Sequence, residues 1–214
     1  MAIVQNPITG RSKQKFGTAV FSKQFGKNTL RTKPIEVKNP RTPDQVNQRN
    51  KFSLMVAEGR RLLSMLKISF QNMAISMSAF NVFIKNNIKT SITGLPGSYA
   101  IDYSLLVISK GPLYKTSNIT AGNELASKVK RSWAPPIDPV DPANLDLLYV
   151  ATYNEDKNEW FYSATTTTRI TGVDQQDIPA TWTGDTVHVY SFFVNPDGNQ
   201  CSDSVYSGTV EITL

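Results

Sequence analysis

"LDLLYVATYNEDKNEWFYSATTTTR", residues 145–169, sets two strand-favouring runs, "LDLLYVATYN" and "WFYSATTTTR", about the polar break "NEDKNE". Aromatic and β-branched side chains fit a pleated, half-buried surface, and a charged break between such runs reads as a turn. The same texture recurs outward from this pair in "YSLLVIS" (103–109), "ASKVKRSWAPP" (126–136), "TVHVYSFFVN" (186–195) and "SVYSGTVEIT" (204–213). The intervening "PPIDPVDPAN", "WTGD" and "NPDGNQ" are rich in turn residues. Short strands at this spacing predict a sandwich of seven or so strands over residues 103–214, immunoglobulin-like or fibronectin-type-III-like. "VKRSWAPP", with Trp133 ending a strand before two prolines, suits the second strand of a fibronectin-type-III domain. Tyr149, Tyr153, Trp160, Tyr190 and Phe192 are expected to fill much of its interior.

Upstream the pattern differs, and the fold class expected is α+β. Residues 1–41 read as a basic extended arm with a β-hairpin: in "FGTAVFSKQFGKNTLRTKP", strand-favouring residues flank "QFGKN", where Gly26 and Asn28 are expected to take positive φ. Few large apolar residues occur here, so the hairpin needs something to pack on. A helical region is expected over residues 42–95. Thr42 is placed to cap a helix, Pro43 fits its first turn and Gln45 its third position. Apolar residues from Val46 to Phe70 at three- and four-residue steps predict a helix over about 43–70, and a second stripe from Ala79 to Ile88 predicts one over about 76–90.

The net charge of +6 conceals a division. Residues 1–90 carry 16 Lys/Arg against 3 Asp/Glu, a surplus of 13, whereas residues 91–214 carry 7 against 14, a deficit of 7. So large an asymmetry predicts two regions with different partners, and one half can meet the other half of a neighbouring copy.

Chemistry-bearing motifs are scarce. One cysteine, Cys201, and one histidine, His188, are too few for a disulfide framework, a Cys/His zinc site or a nucleophile–base–orienter set. "GRSKQKFG" lacks the spacing of a phosphate loop. The carboxylate groups Asp138/Asp141 and Glu155/Asp156/Glu159 match no calcium loop and read as solvated turn residues. No catalytic residue, cofactor or metal ligand is therefore expected, and the chain is not expected to be an enzyme. The opening "MAIVQNPITG" lacks the apolar core of a signal peptide, and the stretch 62–84 is too interrupted to span a membrane, so no membrane partner is expected.

The segments "NPITGRSKQKFGTAVFSKQFGKNTLRTKP", "NPRTPDQVNQRNKF" and "SMSAFNVFIKNNIK", with Gly17, Gly26, Arg31, Pro34, Asn39, Pro40, Thr42, Gln45, Arg49 and Phe52 at matching positions, resemble a family of uncharacterised proteins of Bacteroidetes and their phages. More broadly they are similar to small phage and prophage structural proteins. The resemblance covers about residues 5–95 and extends to the β region. It implies a non-enzymatic virion subunit of the neck, tail or head surface, assembled in the host cytoplasm as a homo-oligomer and contacting other virion proteins.

The side chains expected to carry assembly are Phe21, Phe25, Arg31, Arg41, Arg49 and Phe52. Two other readings remain open. The basic arm, with aromatics interleaved, can bind nucleic acid. The sandwich can bind a carbohydrate or receptor, with Trp182 in "ATWTGD" as the candidate surface contact, set against core packing for the same residue.

Overall fold

The computed structural model describes residues 2–3, 14–37, 39–123, 127–136, 138 and 141–213; residues 4–13 of the expected arm lie outside this range. The chain divides into two compact units, Met1–Gln45 and Val46–Leu214.

In the first unit, β1 (Ala2–Ile3), β2 (Gln14–Phe16), β3 (Ala19–Gln24) and β4 (Lys27–Thr32) form an antiparallel sheet in the order β1-β4-β3-β2. Gln24 pairs with Lys27, so the expected hairpin closes on two residues, Phe25 and Gly26, with φ of 48° and 80°. Both central residues of such a tight turn need positive φ. That requirement moves the strained position from the expected Asn28, which lies in β4, to Phe25.

The helical region begins as the sequence suggests: Thr42 Oγ1 accepts from the Gln45 N–H at 3.4 Å, ahead of α1 (Pro43–Arg61). The first helix does not run unbroken to residue 70. Leu62, at φ −95° and ψ 7°, separates α1 from α2 (Leu63–Ser69). The second predicted helix is α3 (Ala79–Asn87), shorter than expected because Ser78 caps it, accepting from the Asn81 N–H at 3.2 Å. A hairpin of β5 (Ile92–Leu95) and β6 (Ser98–Ile101) follows.

"YSLLVIS" is not a strand. It forms a single 3₁₀ turn at Tyr103–Leu105 and continues as irregular chain. Several of its backbone groups are satisfied by side chains instead of a ladder. Asn87 Nδ2 donates to the Val107 carbonyl at 2.8 Å, Asn87 Oδ1 accepts from the Val107 N–H at 2.8 Å, and the Ile108 N–H donates to Ser204 Oγ at 3.2 Å.

Seven strands then build the β-sandwich: β7 (Thr120–Gly122), β8 (Lys128–Ser132), β9 (Leu147–Asn154), β10 (Glu159–Thr168), β11 (Val173–Asp177), β12 (Thr186–Val194) and β13 (Val205–Glu211). One sheet has the order β11-β8-β7 and the other β10-β9-β12-β13, all antiparallel. β8 is the second strand, as the "VKRSW" reading required, and Trp133 is buried beyond its end.

The aromatic residues do not fill the sandwich as expected. Val187, Val189 and Phe193 of β12 and Leu148 and Val150 of β9 point inward, joined by Val129, Trp133, Trp182, Val210 and Ile212. Their neighbours in the alternation, Tyr149, Ala151, Tyr190 and Phe192, lie on the sheet's opposite face and share a core with Met55, Leu62, Leu66, Phe70 and Phe83 of the helical region. Alternate side chains of a strand face opposite sides, so a sheet covered twice reads as nearly continuous apolar run. The helices expected as a separate region at 42–95 therefore share one core with the sandwich.

A polar network fastens α1 to this face. The buried carboxylate of Glu58 accepts from Trp160 Nε1 at 2.8 Å, from Arg61 Nη1 at 2.6 Å and from the Tyr103 hydroxyl at 3.3 Å. Tyr103 stacks on Tyr153 with ring centroids 4.1 Å apart, and its one hydroxyl proton is shared between the Tyr153 hydroxyl at 2.8 Å and the more distant Glu58. Burial, then the Tyr153 hydrogen bond and the Glu58 charge, push the Tyr103 phenol far above its ordinary range. Inside the sandwich, Arg131 is wholly buried between the two apolar clusters, with Nη2 donating to Gln176 Oε1 at 2.7 Å and Thr152 Oγ1 at 3.0 Å. Burial lowers its guanidinium to about 10.

Candidate interaction surface

The sheet of the first unit is unusual in what it leaves wet. Thr29 is its sole buried side chain among the described residues, closed by a 2.6 Å hydrogen bond with Ser22. Phe21 is half-buried opposite Leu30, and Arg31 is exposed on β4. Phe25 stands 51% exposed at the hairpin tip between the exposed lysines Lys23 and Lys27. Ile35 and Val37 are exposed beyond the sheet. A bulky side chain at positive φ is costly, and a sheet without an apolar face packed on something is marginal.

Arg41 is exposed just ahead of α1, and Arg49 and Phe52 are exposed on it. The structure brings the last two together: with Gln48, Ser53 and Val56 they line a shallow apolar hollow of about 380 Å³. Phe52 remains 48% exposed, and the first side chain of α1 to be buried is Met55. The opening turns of this helix thus present an apolar row that its own unit leaves uncovered.

Trp182 is not a surface contact. It is 2% exposed, inside the sandwich beside Val187 and Ile212, with Phe161 meeting its ring edge-on at 6.4 Å. Its turn setting is real, a single 3₁₀ turn at Ala180–Trp182, but that turn folds the indole inward as a plug.

The feature that sequence reasoning missed is the edge strand β10. Its first six residues pair regularly with β9, from Glu159↔Asn154 to Ala164↔Tyr149, after which a bulge shifts the register before Thr168. Glu159 is its only charged residue, and it contains no proline. Beside it Tyr162, Ser163, Ala164 and Tyr149 with Ser64, Met65 and Ile68 of α2 line a hollow of about 250 Å³. The Tyr162 and Ser64 hydroxyls hydrogen-bond at 2.5 Å, tying α2 to the edge. The signal lay in "WFYSATTTT", a long strand lacking the lysine or proline with which edges are usually guarded.

At the N-terminal end of β10 the exposed residues Glu155, Asp156 and Glu159 gather. Lys157 nearby is paired with Asp185, and this hydrogen bond holds the Asp185 carboxyl below the usual carboxylate range. His188 Nε2 lies 3.6 Å from Glu155 Oε2, and Nδ1 lies 2.9 Å from the Tyr206 hydroxyl. Burial pushes the Cys201 thiol up. No cluster of three or more His, Cys, Asp or Glu able to hold a metal occurs among the described residues, and none of their helices is long and apolar enough to cross a membrane.

A family of unknown function, DUF6266, matches residues 10–208. The chain belongs to this family. DUF6266 here therefore means the basic sheet, the helices and the sandwich together, since the match spans all three. No curated protein is similar to the chain in sequence. Among solved structures it is similar to the fn3 domain of the human collagen alpha-1(XX) chain, at 13% identity and TM-score 0.34, over 46% of this chain and 85% of that one. It is also similar to the fn3 domain of human contactin 1, at 8% identity and TM-score 0.33, over 57% of this chain and 94% of that one.

Proposed function

We propose that this DUF6266 chain is a non-enzymatic structural subunit that assembles through its basic N-terminal unit and the exposed row of α1. One observation carries the reading: a four-stranded sheet that among its described side chains buries Thr29 alone, yet holds Phe25 at positive φ on its tip. Backbone strain at an exposed aromatic persists where the side chain has a use, and a sheet with so little buried among its described side chains gains packing from a partner. Arg31, Arg41 and Arg49 supply charge for the contact, and Phe21, Phe25 and Phe52 supply apolar area. A virion is the setting we propose, as neck, tail or head-surface subunit, supported by the resemblance of residues 5–95 to phage and prophage structural proteins.

Phe25→Asn tests this cleanly. Asn-Gly is the favoured pair for a two-residue turn, so the hairpin is kept or strengthened while the aromatic is lost. Light scattering across a concentration series is expected to show the wild-type chain associating and the variant associating at least tenfold more weakly. A wild-type chain that stays monomeric at high concentration rules the proposal out.

The placement of Phe25 between Lys23 and Lys27 also favours a second reading, contact with single-stranded nucleic acid by stacking and phosphate neutralisation. It requires retention on single-stranded DNA that weakens steeply with salt and with Phe25→Asn. No retention at low salt excludes it.

A further inference from the structure

We infer that the open edge of β10 is the receptor for the N-terminal sheet of a second copy, which adds to the sandwich as a further strand layer. The inference rests on the assembly reading above and names the surface that receives it.

Among the described strands of the sandwich, β10 alone combines length with an unguarded edge. β7 and β11 are three and five residues long, and β11 runs into Pro179. The end of β13 is covered, with Asn123 Nδ2 donating to the Glu211 carbonyl at 2.5 Å and the Ser127 N–H donating to the Thr213 carbonyl at 3.1 Å. The regular part of β10, Glu159–Ala164, has one sheet neighbour, β9. An edge strand leaves half its N–H and C=O groups facing outward, which a strand from another chain satisfies. The hollow between β10 and α2 then takes alternate side chains of the added strand, as period-two alternation demands.

Charge selects the occupant. The acidic group Glu155, Asp156 and Glu159 stands at the start of β10. The described part of the N-terminal sheet and its exit, residues 14–37, carries Lys15, Lys23, Lys27, Arg31 and Lys33 against Glu36 alone. That sheet also has backbone to offer: among the described residues β2 (Gln14–Phe16), which carries Lys15, has one sheet neighbour, β3. A strand face bearing lysines, with no buried apolar side chain among its described residues, fits an edge bearing carboxylates beside an apolar hollow. Because receptor and ligand are different surfaces of one chain, the contact is head-to-tail and propagates into a ring or filament.

The test uses cysteine pairs in the full chain. Cys201 is buried, so introduced thiols are the ones that react. Ser22→Cys and Ala164→Cys, both at exposed positions, are purified separately, mixed under associating conditions and treated with a short bis-maleimide. Cross-linked dimer is expected in the mixture and not in either variant alone. Ala164→Lys, which sets a cation at the hollow, is expected to weaken association at least tenfold with an unchanged melting temperature. Oligomers that form normally but give no mixed cross-link, or that link Ala164→Cys to itself, overturn the β10 receptor and leave the assembly reading standing. A chain monomeric throughout overturns both.

Discussion

Gly59 lies where α1 meets α3, and its missing side chain sets how closely the two approach. A Cβ placed there would stand 2.8 Å from Cε2 of Phe80 and 3.2 Å from Cδ1 of Phe83. Alanine is the better helix former by about 1 kcal/mol, but overpacking against two rings costs roughly 1–3 kcal/mol. Gly59→Ala is therefore expected to destabilise the protein, by about 1 kcal/mol in urea unfolding, and Phe80→Leu in the same chain to recover most of the loss. One residue before it, Glu58 gathers three donors from three separate segments. Glu58→Ala leaves the Trp160 indole N–H without its acceptor, while Tyr103 keeps Tyr153, and is expected to cost about 2 kcal/mol, measured the same way. Neither role was legible in the sequence. Glycine inside a helical pattern looks like a weakness, and a glutamate between Ala57 and Gly59 looks like solvated surface, until α3 and β10 are brought against them.

At the scale of elements, what the sequence showed depended on whether local chemistry was enough. Thr42-Pro43 predicted the start of α1 because capping is a matter of a few adjacent residues. β8, β9, β10, β12 and β13 showed because turns and β-favouring runs are equally local, whereas β7 ("TAG") and β11 ("VDQQD") carry no such run and "YSLLVIS" has the texture without becoming a strand. The face of each strand was a different matter: alternation separates Tyr149 and Tyr190 from Val150 and Val189 but does not say which set meets the other sheet. Both sets are apolar, so tertiary cover alone decided. The hydroxyl groups of the outward set have a measurable consequence. Burial is the first cause that pushes both the Tyr103 and Tyr190 phenols up from the ordinary 10.0. In the unfolded chain they ionise near 10, whereas in the folded chain they stay protonated. Folding stability from these groups is thus complete below pH 10 and falls above it, by about 1.4 kcal/mol per pH unit for each phenol, as the unfolded state sheds protons that the native state keeps. Ultraviolet titration is expected to show these two phenols ionising only together with the loss of near-ultraviolet circular dichroism. Free ionisation of all eight tyrosines in a still-folded protein would contradict it.

At the scale of the whole molecule, two units with unequal resources share one chain. Residues Val46–Leu214 own every buried apolar side chain among those described, whereas the N-terminal unit owns none. Removing residues 1–41 is therefore expected to leave the melting temperature within about 2 °C of the full chain, since the described side chains of that stretch bury no apolar area. Thr42 stays to cap α1 in that truncation. Cutting between the helices and the sandwich is a different operation. A fragment of residues 103–214 keeps seven strands but uncovers Tyr149, Ala151, Tyr190, Phe192 and Val194, the sheet face that Met55, Leu62, Leu66 and Phe83 now bury. An exposed apolar face of that extent is an aggregation surface, not a marginal loss. The fragment is expected to precipitate or bind the dye ANS when expressed alone, while 42–214 stays soluble and cooperative in calorimetry. If 103–214 instead melts as a soluble, two-state unit, the helices decorate the sandwich without being required by it. The outcome bears on function as well: were the helices dispensable for folding, α1 would be free to move away from its sheet, and the hollow beside β10 that α2 walls would not be a fixed site for an incoming strand.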